Sequence, residues 1–189
     1  LSERGEKALN TVSDALEMLA RDLGMRFAFF PAMDASFGNA ILWKDSGDCK
    51  TYCKEIAVSG EETRSVGALL LKGRNFFVTH LDHKREATRV AQLTKVLDFI
   101  REHHSIQLIL GGDLNALDLS DYDSETNQQI AHVREQGNWE KPEDHLVRLL
   151  QGQGWTDCWK QKHSAISNPS TCDYGTRIDY IWTDRPETV

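Results

Sequence analysis

The sequence predicts an α/β chain with mixed rather than purely parallel sheets. Three observations carry that prediction. Short apolar runs of strand length recur along the chain, and two of them, Ser65 to Leu71 and Phe76 to Thr79, are divided only by the turn-like Lys72-Gly73-Arg74-Asn75. Other strand candidates are separated by segments whose apolar residues recur at helical spacing. Strands therefore come partly in runs and partly in alternation with helices, the pattern of a mixed sheet.

Leu9, Val12, Leu16, Leu19 and Leu23 recur at helical spacing before Gly24, so a helix is expected over about 6 to 23. Met25 to Phe30 is a strand ended by Pro31, and Asn39 to Trp43 is a second after the Gly38 turn. The Ser65 and Phe76 strands form an antiparallel hairpin. Lys84 to His104 is the longest helix, with Val90, Leu93, Val96, Leu97 and Ile100 as its buried stripe. Ile106 to Leu110, apolar apart from Gln107, is a strand broken by Gly111-Gly112. Residues 117 to 128 are rich in Asp, Ser and Asn and read as a surface loop. Leu146 to Leu150 lies in a helix entered through Pro142, Glu143 and Asp144 and ended by Gly152 and Gly154. Ile178 to Trp182 is the last strand.

The chain has 189 residues, no internal repeat and no linker, which suits one domain over 1–189. Hydrophobic residues at 40% and charged residues at 27% are the balance of a globular protein. A net charge of -7 argues against holding nucleic acid by bulk charge, while leaving room for a local cleft that reads one phosphate. Cys49, Cys53, Cys158 and Cys172 lack zinc-site spacing and read as free thiols. With no apolar run near 18 residues and no signal peptide, a soluble intracellular protein without a membrane span is expected. Leu1 rather than Met opens the chain, so the natural start is not in view.

Three segments carry chemistry-bearing residues. Ile109 to Ala116 (I-L-G-G-D-L-N-A) delivers Asp113 and Asn115, two apart, just past an apolar strand. Asp supplies a base or metal ligand, and Asn a neutral hydrogen-bond donor that does not repel phosphate. The plainer alternative is an Asx turn. Phe76 to His83 (F-F-V-T-H-L-D-H) ends in His80, Asp82 and His83, groups able to donate a proton, bond a phosphate oxygen or bind a metal. Here the alternative is an inert strand end. Tyr174 to Trp182 (Y-G-T-R-I-D-Y-I-W) carries Asp179 among apolar residues, where a carboxylate needs a partner. A structural ion pair with Arg177 explains it by itself. Three strands that each end in an acid, amide or imidazole suggest convergence on one site.

These blocks, with Arg89 and Gln92 on the intervening helix and an early G-N-A-I-L at Gly38 to Leu42, resemble in order and spacing the endonuclease/exonuclease/phosphatase superfamily, also called deoxyribonuclease-I-like. The resemblance covers roughly residues 16 to 184. It implies a four-layer α/β/β/α sandwich of two mixed sheets, incomplete here at both ends. It also implies a phosphoester hydrolase using magnesium or manganese, acting on nucleic acid or on a phosphorylated small molecule. By resemblance, Asp113 orients or deprotonates the attacking water. Asn115 holds a phosphoryl oxygen, and His80 bonds the phosphate or assists the leaving group. Asp179 orients a final His. Asp113 and Asn115 are implied at the metal, and Asn39, Asn115 and Tyr174 at the substrate.

Two motifs of that family have no match in this sequence: the early metal-binding Glu and the closing S-D-H. The chain is therefore expected to be part of a longer enzyme and to hydrolyse poorly alone. A catalytically inactive member serving as an interaction module is the competing expectation. A dinuclear metallophosphatase fits less well, because Gly-Asp-Leu-Asn stands where Gly-Asn-His is wanted. Among other residues, Trp139, Trp155, Trp159 and Tyr122 are candidates for a substrate groove or for packing. Arg64 is a candidate phosphate contact or a surface partner of Glu61 or Glu62.

Overall fold

The computed structural model describes residues 12–32, 36–44, 47–103, 107–163 and 168–185. Helix α1 (Val12–Leu23) leads into strands β1 (Arg26–Pro31) and β2 (Gly38–Trp43). Then follow β3 (Cys49–Ile56), β4 (Arg64–Leu71), β5 (Arg74–Thr79), α2 (Glu86–Arg101) and β6 (Gln107–Asp113). A 3-10 turn (Leu119–Asp121), α3 (Ser124–Gln136), α4 (His145–Gly152), β7 (Thr156–Asp157), α5 (Cys158–Lys162) and β8 (Asp179–Thr183) complete the described elements.

The strands make two sheets, as an α/β sandwich requires. β1 and β2 form a two-stranded antiparallel sheet, and the other six are ordered β3-β4-β5-β6-β8-β7. The large sheet is mixed, because β5 and β6 run parallel while its other pairs are antiparallel. Among the described residues the small one is a single antiparallel pair.

One face of the large sheet carries the main core. Val66, Ala68, Phe77, Leu110 and Trp182 pack there against Leu93, Val96, Leu97 and Ile100 of α2 and Leu146 and Leu150 of α4. The opposite face receives the hairpin. Phe30, 2% exposed, lies on bare Gly67, where a Cβ would stand 2.1 Å from its ring. That close approach lets the two sheets touch, and α1 lies against β1. The layers are thus α1, the hairpin, the large sheet, and α2 with α4.

Several expectations are corrected. β3 was not anticipated: its Cys-Lys-Thr-Tyr-Cys-Lys-Glu-Ile run is mostly exposed at the sheet edge and lacks an apolar face. Residues 117 to 128 are not a surface loop. Leu117, Asp118, Asp121 and Tyr122 are buried, and α3 begins at Ser124, capped by Asp123, whose carboxylate accepts the Thr126 N–H at 2.7 Å. On α1, Leu19 and Leu23 are exposed and Ala20 is the buried residue. The helix meets β1 through a narrow strip. Leu9, like the rest of residues 6 to 11, lies outside the described residues. α2 starts at Glu86 rather than Lys84 because the Asp82 carboxylate accepts the Lys84 and Arg85 N–H groups, each at 2.8 Å, and holds them in a turn. Val90 in its stripe is only half-buried.

All four cysteines are free thiols. No described helix is long and apolar enough to cross a membrane.

Candidate active site

One end of the large sheet gathers the polar strand ends. β5 and β6 finish there, at Thr79 and Asp113, while antiparallel β4 and β8 begin there, at Arg64 and Asp179. Asp113 and Asp179 are direct partners in the β6–β8 register. His80 follows β5, and its Nε2 lies 3.5 Å from Asp113 Oδ2. The hairpin brings Phe37 over this end, its ring 5.6 Å from the His80 ring. Asn39, at the start of β2, donates from Nδ2 to the Ser65 backbone oxygen and to Ser65 Oγ, both at 3.4 Å.

The approach of β5 to β6 depends on Gly112. Its φ is +137°, and a Cβ would fall 1.9 Å from the Thr79 carbonyl oxygen. Leu81 N–H then donates to the Asp113 carbonyl at 3.0 Å. Asn115 stands in the left-handed region (φ 49°). Its N–H donates to Asp113 Oδ1 at 2.9 Å, and its Nδ2 donates to the Leu81 carbonyl at 3.1 Å. The Asx turn and the functional reading of Gly-Asp-Leu-Asn therefore hold together: the turn aims Asp113 and ties both segments into one unit.

Electrostatics follow from partial burial. Burial pushes the Asp113 carboxyl above its ordinary value, the neighbouring Asp179 adds to the rise, and the Asn115 N–H and His80 oppose it. Burial holds the His80 imidazole below its ordinary value of 6.5, with Arg64 and His83 pushing the same way and Asp113 resisting. The pair is thus a carboxyl with raised proton affinity beside an imidazole with lowered proton affinity.

His80, Asp113, Asn115 and Asp179 are therefore brought together, with Asn39 bound to the adjoining strand. Tyr174 is not among them. It sits on the loop before β8, exposed, in edge-to-face contact with Trp139. Asp179 is exposed rather than buried, so it needs no ion-pair partner. Arg177, 2% exposed, pairs instead with Asp121 at 2.8 Å and Asp157 at 2.7 Å, and Tyr122 Oη accepts its N–H. This corrects the expected Arg177–Asp179 pair: Asp121 and Asp157 are buried carboxylates that require a cation, and Asp179 is solvated.

Asp82 is likewise occupied, fully buried and capping its own turn, with Gln92 Oε1 accepting its N–H at 2.7 Å. A metal site from His80, Asp82 and His83 is not formed, and the described residues contain no group of three His, Cys, Asp or Glu poised for a metal. Of the aromatic candidates, Trp155 and Tyr122 are buried and Trp159 stacks on His163, 4.6 Å between ring centroids.

Arg64 is buried rather than superficial. It does pair with Glu62, at 3.0 Å, but it is only 3% exposed and its Nε has no partner among the described residues. Its guanidinium lies 5.6 Å from the Phe37 ring and 3.5 Å from His83 Nδ1. This buried guanidinium acts on both members of the pair, lowering the proton affinity of His80 and of Asp113. The available sequence signal was its place directly before a strongly apolar strand.

No protein-family model and no curated protein matches the sequence. Solved structures do match. The human Nocturnin catalytic domain with bound sulfate is 20% identical, with 91% of this chain aligned to 65% of that one at a TM-score of 0.56. ANGEL2, described as a 2',3'-cyclic phosphatase and held in complex with adenosine-2',3'-vanadate, is 14% identical over 89% of this chain and 65% of that one, TM-score 0.61. An endonuclease/exonuclease/phosphatase family protein from Bacteroides thetaiotaomicron is 13% identical over 92% and 66%, TM-score 0.58. The chain thus spans about two thirds of the length of the structures it matches. With β5, β6 and β8 delivering their polar ends to one edge, the chain has the endonuclease/exonuclease/phosphatase fold.

Proposed function

We propose that this chain forms the larger part of a divalent-metal-dependent phosphoester hydrolase. The observation that carries the reading is the His80–Asp113 contact, 3.5 Å, at a strand-end cluster completed by Asn115, Asp179 and buried Arg64. Similarity to proteins described as a 2',3'-cyclic phosphatase, a mannosyl-6-phosphatase and TDP2 with single-stranded DNA product supports phosphoester chemistry of some kind.

Asp113 takes a proton from the attacking water. Neutral His80 donates its ring N–H in a hydrogen bond to a phosphoryl oxygen or to the leaving oxygen. Asn115 keeps one amide hydrogen on the Leu81 carbonyl and has a second for a phosphoryl oxygen. Arg64 offsets charge on the same group. Asn39 and Tyr174 contact the remainder of the substrate.

The donor set fits magnesium in kind. Magnesium takes one or two carboxylates together with water and phosphate oxygens, and Asp113 with Asn115 would hold it, with Asp179 alongside. Bound there, it would neutralise phosphoryl charge.

The test is hydrolysis of an activated phosphodiester, bis(4-nitrophenyl) phosphate, by the full-length protein with magnesium. Asp113→Ala should lower turnover by about two orders of magnitude or more, and Arg64→Ala should weaken inhibition by inorganic phosphate. Unchanged turnover in Asp113→Ala removes the proposal and leaves the interaction-module reading.

A further inference from the structure

A cavity of about 770 Å³ opens beside the strand-end cluster and shares a wall with it: Asn115, His83 and Ile178 line it. The far wall comes from α3 and the loop after it, with Ile130 and Trp139, and Tyr174 stands at the edge. The Trp139 and Tyr174 rings meet at 90° with centroids 5.0 Å apart, so they form a corner.

These two aromatics are exposed, at 44% and 67%. Trp139 is nonetheless held in place. Its N–H donates to the Arg134 carbonyl at 2.8 Å, and the Arg134 guanidinium lies 5.9 Å from its ring centroid. Arg134 Nε in turn donates to the Glu140 carbonyl at 2.6 Å. The loop passes through Asn138 in the left-handed region (φ 53°). A tryptophan fixed by backbone geometry but left in water is positioned for something other than the core.

The size suits a ligand fragment with a ring and a few polar groups. A right-angled aromatic corner offers one face for stacking and one edge for a perpendicular contact, and a flat aromatic ring can use both, where a sugar or inositol offers only C–H groups to a face. Lys84 and Arg85 also line the cavity, each paired with a carboxylate, Glu62 and Glu61 respectively. The net charge of -7 disfavours a duplex.

We propose that this cavity binds the base of a nucleotide, or of an unpaired nucleic-acid end, whose phosphoester lies at His80 and Asp113. The assignment deepens the phosphoester reading and rests on it for the position of the phosphate. Trp139 and Tyr174 are then specificity-determining residues, and phosphorylated sugars bind without their help.

Calorimetric titration of the full-length protein with adenosine 5'-monophosphate, ribose 5-phosphate, adenosine and inorganic phosphate tests it. The nucleotide should bind about tenfold or more tighter than ribose 5-phosphate. Trp139→Ala and Tyr174→Ala should each weaken nucleotide binding roughly 5- to 100-fold, the range for loss of one stacking partner, and weaken ribose 5-phosphate far less. Tyr174 is mostly exposed, so its variant reports on binding even if the tryptophan variant misfolds. Equal affinity for nucleotide and ribose 5-phosphate overturns the assignment, as does a preference that survives both variants, or no binding of any of the four. Adenosine that binds and is lost in Tyr174→Ala, with no binding of inorganic phosphate, keeps the cavity and fells the phosphoester reading alone.

Discussion

Two adjacent glycines should respond very unequally to the same substitution. Gly112→Ala puts a methyl 1.9 Å from the Thr79 carbonyl oxygen, at φ +137°, and both collision partners are backbone. Backbone strain of about 1–3 kcal/mol and overpacking of about 1–3 kcal/mol add to roughly 2–6 kcal/mol. At 2–4 °C per kcal/mol for a chain of this size, Tm should fall by about 5 °C or more. Relief requires β5 and β6 to part at their ends, which lengthens the 3.5 Å His80–Asp113 contact and the Leu81–Asp113 hydrogen bond. Turnover should fall with stability. At Gly111 the nearest atom to a new Cβ is the Tyr180 carbonyl oxygen at 3.6 Å, an ordinary contact. Gly111→Ala should change stability by less than about 1 kcal/mol, with a gain possible from strand rigidity. Thermal unfolding of both variants decides the matter. Equal losses at the two positions, or a Gly112→Ala protein as stable as its parent, would refute the close-approach argument.

Two further outcomes follow from buried charge. Asp113→Asn should raise Tm at pH 7 while abolishing turnover. Burial raises the folded-state pKa above the unfolded 3.8, so the ionised group destabilises the fold at neutral pH, and the advantage of Asn should shrink as pH falls toward 3.8; a Tm gain independent of pH would contradict this. Arg177→Ala leaves the buried carboxylates of Asp121 and Asp157 without their shared guanidinium. Chemical denaturation should register a loss of about 3–5 kcal/mol, and Arg177→Lys should not restore it, because an ammonium lacks the planar fork.

The residues that make the site were legible because they sit at the ends of apolar strands. His80, Asp113 and Asp179 each follow or open a run whose burial fixes where it ends. What escaped notice lacked an apolar signature. β3 pairs through its backbone at an edge, so Lys50, Thr51 and Glu55 on its exposed positions look like loop residues. α3 buries only Ile130 and is held by its Asp123 cap, a signal present in the sequence but outweighed by surrounding polar residues. Arg64 looked superficial because its partner Glu62 is local; its burial comes from Phe37 and His83, far away in the chain. The Arg177 network failed for the same reason, since Asp121 and Asp157 approach from separate segments.

The Asp113–Asp179 pairing has a consequence for assembly of the molecule. Side chains alternate across a strand, so a slip of β8 by a single residue would carry Asp179 through the sheet and put Trp182 in water. No partly shifted arrangement keeps both the indole in its pocket and the acid beside its counterpart. Molecules in a preparation should therefore divide into competent and wholly incompetent ones, and specific activity becomes a count of correctly zipped sheets.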